Sequence, residues 1–243
     1  MIRALGQLGL FCGDLALATL RYGVPPRRII EESYRIGVQS LPVLLTINVF
    51  IGSVLTLQGY TSFGPLGARH LIGMFVALAG VREAAPLLAA TMIAAKAGTE
   101  MASQIAVMNT REQIDALEVM AVNPYAFLVA PRLLGILLVM PALTTVAIVT
   151  TVASGWAVAT FQLSLDGHQF LTLVGQTVTG RDLLISECKA VGFGALICLI
   201  STWCGFRAPR GPEGVGQATN AAVVFSSVLC VALNFLITQV FYG

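Results

Sequence analysis

Long charge-free apolar stretches alternate with short intervals that carry most of the arginines. Ile36–Ala68 is the first stretch, densest in apolar residues at Leu41–Leu57. Leu71–Ala95 follows, interrupted only by the adjacent pair Arg82-Glu83. Leu133–Leu165 is the third, where Pro141 predicts a kink. Ala190–Phe206, extended back through Leu183, and Val215–Tyr242 complete the set. At ~1.5 Å of rise per residue these stretches are long enough to cross a hydrocarbon layer of about 30 Å. The pattern predicts an all-α integral membrane protein with about five transmembrane helices. Ahead of them, Leu5, Leu8, Leu15 and Ile29-Ile30 with arginines between them suggest an interfacial amphipathic helix over residues 1–35, broken by Pro25-Pro26. Arg3 and the Ala16-Leu17-Ala18 triplet superficially resemble a cleaved signal peptide, but Asp14 interrupts the apolar run. Residues 36–243 then form the transmembrane domain.

Composition sharpens this picture. Apolar residues make up 56% of the 243 and charged residues 11%, with a mean hydropathy of +0.84; soluble domains carry roughly 25% charged residues. A net charge of +2 gives no basic surface of the kind nucleic acid needs. Five cysteines lie scattered in apolar segments without CxxC spacing, and His70 and His168 are far apart, so no metal site is expected. With the N-terminus in the cytoplasm, the inside intervals hold Arg3, Arg21, Arg27, Arg28, Arg35, Lys96, Arg111, Arg132, Arg207 and Arg210. The outside ones hold Arg69, Arg181 and Lys189. Basic residues favour the cytoplasmic side, which sets this orientation and places the C-terminus on the outer side.

Two polar features stand out against the apolar background. Arg82-Glu83 sits at mid-depth in the second stretch, where burying one charge costs about 2.5–3.5 kcal/mol on insertion scales. Such a pair either faces a cavity that handles cargo or is a mutually neutralised couple that orients the helix. The second feature is the segment from Asn109 to Asn123 between spans two and three. Thr110 and Gln113 form a capping-box pattern, Glu112 and Asp115 fall in the first turns, and Asn123-Pro124 ends the helix. Ile114, Leu117 and Met120 lie on one face, and Glu112, Asp115 and Glu118 line another. The segment suits either partner docking or a solvated loop helix. Lys96 and Glu100 have the spacing of a local salt bridge, and Glu187 and Lys189 are expected at headgroup level.

Three runs carry a resemblance: Leu78-Ala79-Gly80-Val81-Arg82-Glu83-Ala84-Ala85-Pro86, Ala95-Lys96-Ala97-Gly98, and Thr110-Arg111-Glu112-Gln113-Ile114-Asp115-Ala116-Leu117-Glu118-Val119-Met120-Ala121-Val122-Asn123-Pro124. With Gly52, Gln58-Gly59-Tyr60, Pro131-Arg132-Leu133 and the stretch from Gly214 to Phe241, they resemble MlaE/YrbE-type permeases, the membrane subunits of bacterial ABC lipid transporters that work with MCE proteins. The resemblance implies a five-span permease of the bacterial cytoplasmic (inner) membrane. It would pair with a second permease copy or paralogue, with cytoplasmic ABC ATPase subunits and with an MCE-domain protein on the outer side. It further implies a lipid pocket at the permease dimer interface, with Arg82 and Glu83 at the headgroup and Leu78, Leu87 and Leu88 beside the acyl chains. The coupling helix, about 109–123, would contact the ATPase through Thr110, Arg111, Glu112, Gln113, Asp115, Leu117, Glu118 and Met120. Family members commonly carry arginine at the position of Lys96 and glutamate at that of Gln104.

No G-x-x-x-x-G-K-[ST] sequence is present to cradle ATP phosphates, so ATP and Mg2+ are expected in a partner subunit and no cofactor in this chain. The alternatives are an ion-coupled secondary transporter using Glu83 or Glu187 as a proton relay, and a membrane-embedded lipid-modifying enzyme. For the enzyme, Ser33, Ser186, Ser201, Glu83 and the histidines form no recognisable set.

Overall fold

The computed structural model describes Gly9, Phe11, Gly13, Leu15 and residues 23–242. Five of its helices are long and apolar enough to cross a membrane. These are α1 (Pro26–Phe63), α2 (Arg69–Thr110), α4 (Tyr125–Gln162), α6 (Gly180–Phe206) and α7 (Pro212–Tyr242). Two short helices join them, α3 (Gln113–Val119) and α5 (Gly167–Thr177). Most of the segment expected to lie in the interface falls outside the described residues. Its last part, from Pro26, is the beginning of α1, with proline at a position whose N–H has no helical partner to lose.

The helices overrun several of the charge-free stretches. α2 continues past Ala95 through Lys96 and Glu100 to Thr110, and α6 begins at Gly180 and includes Arg181, Asp182, Glu187 and Lys189. Charge alone does not end a helix when the side chain finds a partner. Lys96 Nζ donates to the Gln39 carbonyl and Glu100 pairs with Arg35. The expected Lys96–Glu100 bridge is therefore not formed. α4 runs as regular helix through Pro141, from Ala130 to Ala157. The outer loop expected at Gln162–Asp182 contains α5, whose first turn is capped by Asp166 Oδ1 accepting from His168 N at 2.9 Å and Gln169 N at 3.4 Å.

The chain forms two compact units that each draw on segments of the same long helices. The first comprises Met1–Ser40, Ile93–Met140 and Gly192–Ala232, and the second Leu41–Met92, Pro141–Val191 and Leu233–Gly243. In the first, small residues dominate the core: Ala102, Ile200, Cys204 and Ala222 pack together, as do Ala106, Ala208 and Ala218. Small side chains allow helix backbones to approach closely, which drives association where lipid supplies little hydrophobic force.

In the second unit Ile72, Val76, Ala159 and Phe170 form the core, flanked by Leu55, Tyr60 and Trp156. There α1 and α4 meet at Gly52. A Cβ at that position would overlap the Thr151 carbonyl and the Ser154 hydroxyl. Beside it the buried Asn48 Oδ1 accepts from Thr151 Oγ1 at 3.1 Å, a polar tie within the helix pair. The turn after α1 passes through Gly67 at φ 70°, a left-handed backbone that glycine takes without steric cost.

Candidate functional site

Arg82 and Glu83 lie in a π-helical turn of α2, Ala77–Ala84. Such a turn widens the backbone helix and is frequent at functional sites. Two of its carbonyls bond outward to α6: Val81 O accepts from Ser186 Oγ at 3.2 Å and Arg82 O from Lys189 Nζ at 3.0 Å. The sequence of α6 thus holds the irregular turn of α2 in place.

The adjacent charges do not pair with each other. Arg82 pairs with Asp182: Nη2 donates to Oδ2 at 3.2 Å, and Nε lies 3.0 Å from Oδ1 as an ion-pair contact without hydrogen-bond geometry. Its guanidinium carbon lies 4.8 Å from the centre of the Tyr242 ring. Asp182 is buried and accepts further from Tyr242 Oη at 2.8 Å and from Thr179 N and Oγ1 at 2.8 and 2.7 Å. Among the described residues neither Nη1 nor the buried Nε of Arg82 makes a hydrogen bond. Glu83 takes a different cation. Its Oε1 accepts from Lys189 Nζ at 3.0 Å and Thr238 Oγ1 at 2.9 Å, and its Oε2 from Asn234 Nδ2 at 2.7 Å.

The Lys189 side chain is 0% exposed, enclosed between helices. A buried ammonium requires all three donors to be used. It donates to the Arg82 carbonyl, to Glu83 and, at 2.8 Å, to Thr238 Oγ1. The mutually neutralised Arg82–Glu83 couple is therefore replaced by two crossed pairs, each closed by polar residues of α7. The result is a neutral cluster of ion pairs and hydrogen bonds in membrane-spanning helices.

Among the other residues expected at the pocket, Leu78, Leu87 and Leu88 are half-buried. A separate open apolar groove of about 730 Å3 lies in the same unit, lined by Ile148, Val152, Trp156 and Leu171 among others. Thr145 and Glu187 line it too, and their Oγ1 and Oε1 are 2.7 Å apart. Arg82, Glu83 and the three leucines do not line it.

The segment between α2 and α4 is helical, but the capping box is not formed. Thr110 is the last residue of α2, where its Oγ1 donates to the Ala106 carbonyl at 2.9 Å and accepts from Gly211 N at 3.3 Å. Glu112 precedes α3 in a left-handed conformation, φ 57°, with no side-chain cap. Propensity for a cap loses here to a tight turn that reverses the chain one residue after α2 ends. Asn109 Nδ2 fixes that end by donating to the Phe206 and Ala208 carbonyls at 3.3 and 3.2 Å. Arg210 reaches Glu112 at 3.0 Å and Asp115 at 3.3 Å. Arg111, Glu112, Gln113, Asp115, Glu118 and Met120 are exposed, Thr110 and Leu117 half-buried, and Ile114 buried. Val119 and Met120 are 88% and 64% exposed, an apolar edge on an otherwise charged loop.

Elsewhere in the first unit, Gln104 is the hub of a charge cluster. Its Oε1 accepts from Arg132 Nη2 at 2.8 Å and from Arg35 Nη1 at 3.5 Å, and its Nε2 donates to Glu100 at 3.4 Å. An amide is thus enough to bridge two arginines and a carboxylate.

Comparison with known proteins decides the family. The chain matches the family described as Permease MlaE over residues 29–240. It belongs to the MlaE permease family. Among its relatives, a "probable ABC transporter permease protein" of Rickettsia prowazekii is 36% identical over 88% of this chain and 83% of its own length. The "intermembrane phospholipid transport system permease protein MlaE" of Haemophilus influenzae is 32% identical over 99% of this chain and 93% of its own. The chloroplastic protein TRIGALACTOSYLDIACYLGLYCEROL 1 of Arabidopsis thaliana is 28% identical over 96% of this chain and 67% of its own.

This MlaE-family chain is accordingly an integral membrane permease subunit of an ABC transporter, not an enzyme. Sequence reasoning missed five members of its polar cluster: Asp182, Lys189, Asn234, Thr238 and Tyr242. A signal for three of them was present, since Asn234, Thr238 and Tyr242 recur every fourth residue and form one polar stripe on an apolar helix. Asp182 and Lys189 are seven apart and likewise share a face.

Proposed function

We propose that this permease moves phospholipid in the bacterial cytoplasmic membrane and is driven by ATP hydrolysis in a separate subunit. The observation that carries the proposal is the neutral, half-buried cluster around Arg82 and Glu83, with Arg82 Nη1 unpaired among the described residues. A guanidinium held at a fixed angle by Asp182 can present its free N–H edge to a phosphate, a charge-assisted contact stronger than a neutral one. Leu78, Leu87 and Leu88 supply apolar surface beside it. The relative in Haemophilus influenzae, named for intermembrane phospholipid transport, supports the choice of cargo.

The α3 loop is the coupling element of this reading. Its exposed acidic face and the apolar edge at Val119-Met120 suit docking to an ATPase that binds ATP and Mg2+. Asn109 and Arg210 tie the loop to the ends of α6 and α7, so a push on α3 reaches three membrane helices. A second permease, identical or paralogous, would complete the lipid pocket, and the exposed apolar face of α7 (Phe225, Val228, Phe235, Leu236) offers surface for it. An MCE-domain protein would cover the outer side, with the N-terminus cytoplasmic and the C-terminus outside.

Two variants test this. Arg82→Ala is expected to lose co-purifying phospholipid and transport while ATPase association persists; unchanged lipid and transport reduce the cluster to a structural role. Glu112→Lys with Asp115→Lys is expected to release the ATPase in detergent, and undiminished association refutes the coupling role of α3.

A further inference from the structure

We propose that the first unit carries a second anion site, specific for a phosphate group, in the cleft between the first turns of α1 and α4. The cleft has a volume of about 330 Å3 and is lined by Arg28, Glu31, Glu32, Arg35, Arg132 and an apolar wall of Phe127, Leu128 and Pro131. Three arginines therefore face two glutamates, and the local pairings leave that excess of one positive charge in place. Glu31 is held from outside the cleft by Arg27 at 2.9 Å, and Arg35 by Glu100. Glu32 lies 3.6 Å from Arg132 Nε. Arg28 has no carboxylate partner among the described residues; its guanidinium sits over the Phe127 ring, 4.0 Å from the centroid.

The decisive group is Arg132. Its side chain is 8% exposed, yet Nη1 has no hydrogen-bond partner among the described residues while Nη2 is used by Gln104. A buried guanidinium N–H without an acceptor carries the full desolvation cost of that donor. One monoanion in the cleft would satisfy that donor and neutralise Arg28 together. Phosphate fits because its several oxygens can meet the free Nη1 of Arg132 and the Arg28 guanidinium at once.

Depth points to a lipid headgroup as the source. Arg28, Glu31, Glu32 and Arg35 lie in the first ten residues of α1, directly before the charge-free stretch that starts at Ile36. The opposite wall, Phe127 to Arg132, lies directly before the charge-free stretch that starts at Leu133. Both walls therefore stand where an apolar span gives way to polar surroundings, the level of phosphates in a leaflet. At ~1.5 Å per residue the 38-residue α1 exceeds the ~40–45 Å of a bilayer with its headgroups, so its first turns reach that level. The site is distinct from the cluster around Arg82, which belongs to the second unit.

The test uses the full chain in an Arg82→Ala background, so that lipid at the other cluster is not counted. Native mass spectrometry reads phosphatidylglycerol retained from mixed micelles with phosphatidylcholine. Arg28→Gln is expected to lower retention about fivefold, the effect of one surface cation on an anionic lipid, and Arg28→Lys to keep most of it. Arg69→Gln, which removes one charge from the second unit, is expected to leave retention unchanged. Helical content by circular dichroism checks that each variant is folded. Line broadening of inorganic phosphate in 31P spectra separates the sources. Broadening by the Arg28 protein and not by Arg28→Gln, with equal lipid retention, supports dissolved phosphate in the same cleft. Equal lipid retention and equal line widths in both proteins overturn the site.

Discussion

Replacing Lys189 by methionine removes the cation from the centre of the Glu83 cluster while keeping most of its buried methylene volume. Three hydrogen bonds disappear, to the Arg82 carbonyl, Glu83 Oε1 and Thr238 Oγ1. Removing one partner of a buried ion pair costs about 3–5 kcal/mol, because the other charge stays behind uncompensated. The Glu83 side chain is 36% exposed, so water recovers part of that loss and about 2–4 kcal/mol is expected for Lys189→Met. Glu83→Gln strands the fully buried ammonium instead and is expected at the upper end, ~3–5 kcal/mol. With both changes no net charge remains, and the double variant should be less destabilised than the sum of the singles by ~1–3 kcal/mol. Reversible unfolding in mixed dodecyl maltoside and dodecyl sulfate micelles, followed by circular dichroism, measures all three. Additivity to within ~0.5 kcal/mol would show that the two side chains do not depend on each other and would refute the cluster as described.

Other outcomes follow from the packing. Gly52→Ala forces α1 and α4 apart at the Thr151 carbonyl and is expected to lose folded protein, at a cost on the order of 1–3 kcal/mol for overpacking. Gly175→Ala, with nothing within 4 Å of the added carbon, should be neutral or stabilising by up to ~1 kcal/mol in the same unfolding assay. Arg210→Ala removes both contacts to Glu112 and Asp115, but all three side chains are more than half exposed, so stability should change by less than ~1 kcal/mol. Asn109→Ala leaves the Phe206 and Ala208 carbonyls without that donor and is expected to cost about 1–3 kcal/mol, read as a lowered melting temperature.

Several elements were legible before any coordinates. Runs such as Val215–Tyr242 are too long and too apolar for anything but a membrane helix, and the charged island at 109–123 stands out between two of them. Their ends were less legible. Lys96 and Asp182 read as lying beyond the spans because an isolated charge is costly in hydrocarbon, yet each is accommodated within a helix by a partner that is remote in sequence. The Thr110 cap failed for a related reason. A capping pattern describes a local preference, and Thr110 instead closes the helix before it, with its hydroxyl bonded to Ala106 and Gly211. The π-helical turn bearing Arg82 and Glu83 had no sequence signature at all.

The sequence by itself determined that this chain spans the membrane about five times, because burial of apolar side chains and the helix rise depend only on local composition and length. It also singled out Arg82 and Glu83 as charges that must find company in hydrocarbon. Which company they keep was decided only by tertiary structure: Arg82 with Asp182 and Tyr242, Glu83 with Lys189, Thr238 and Asn234. Partners 100 to 160 residues away meet only because three helices pack side by side. Electrostatic pairing depends on separation in space, which linear order does not specify.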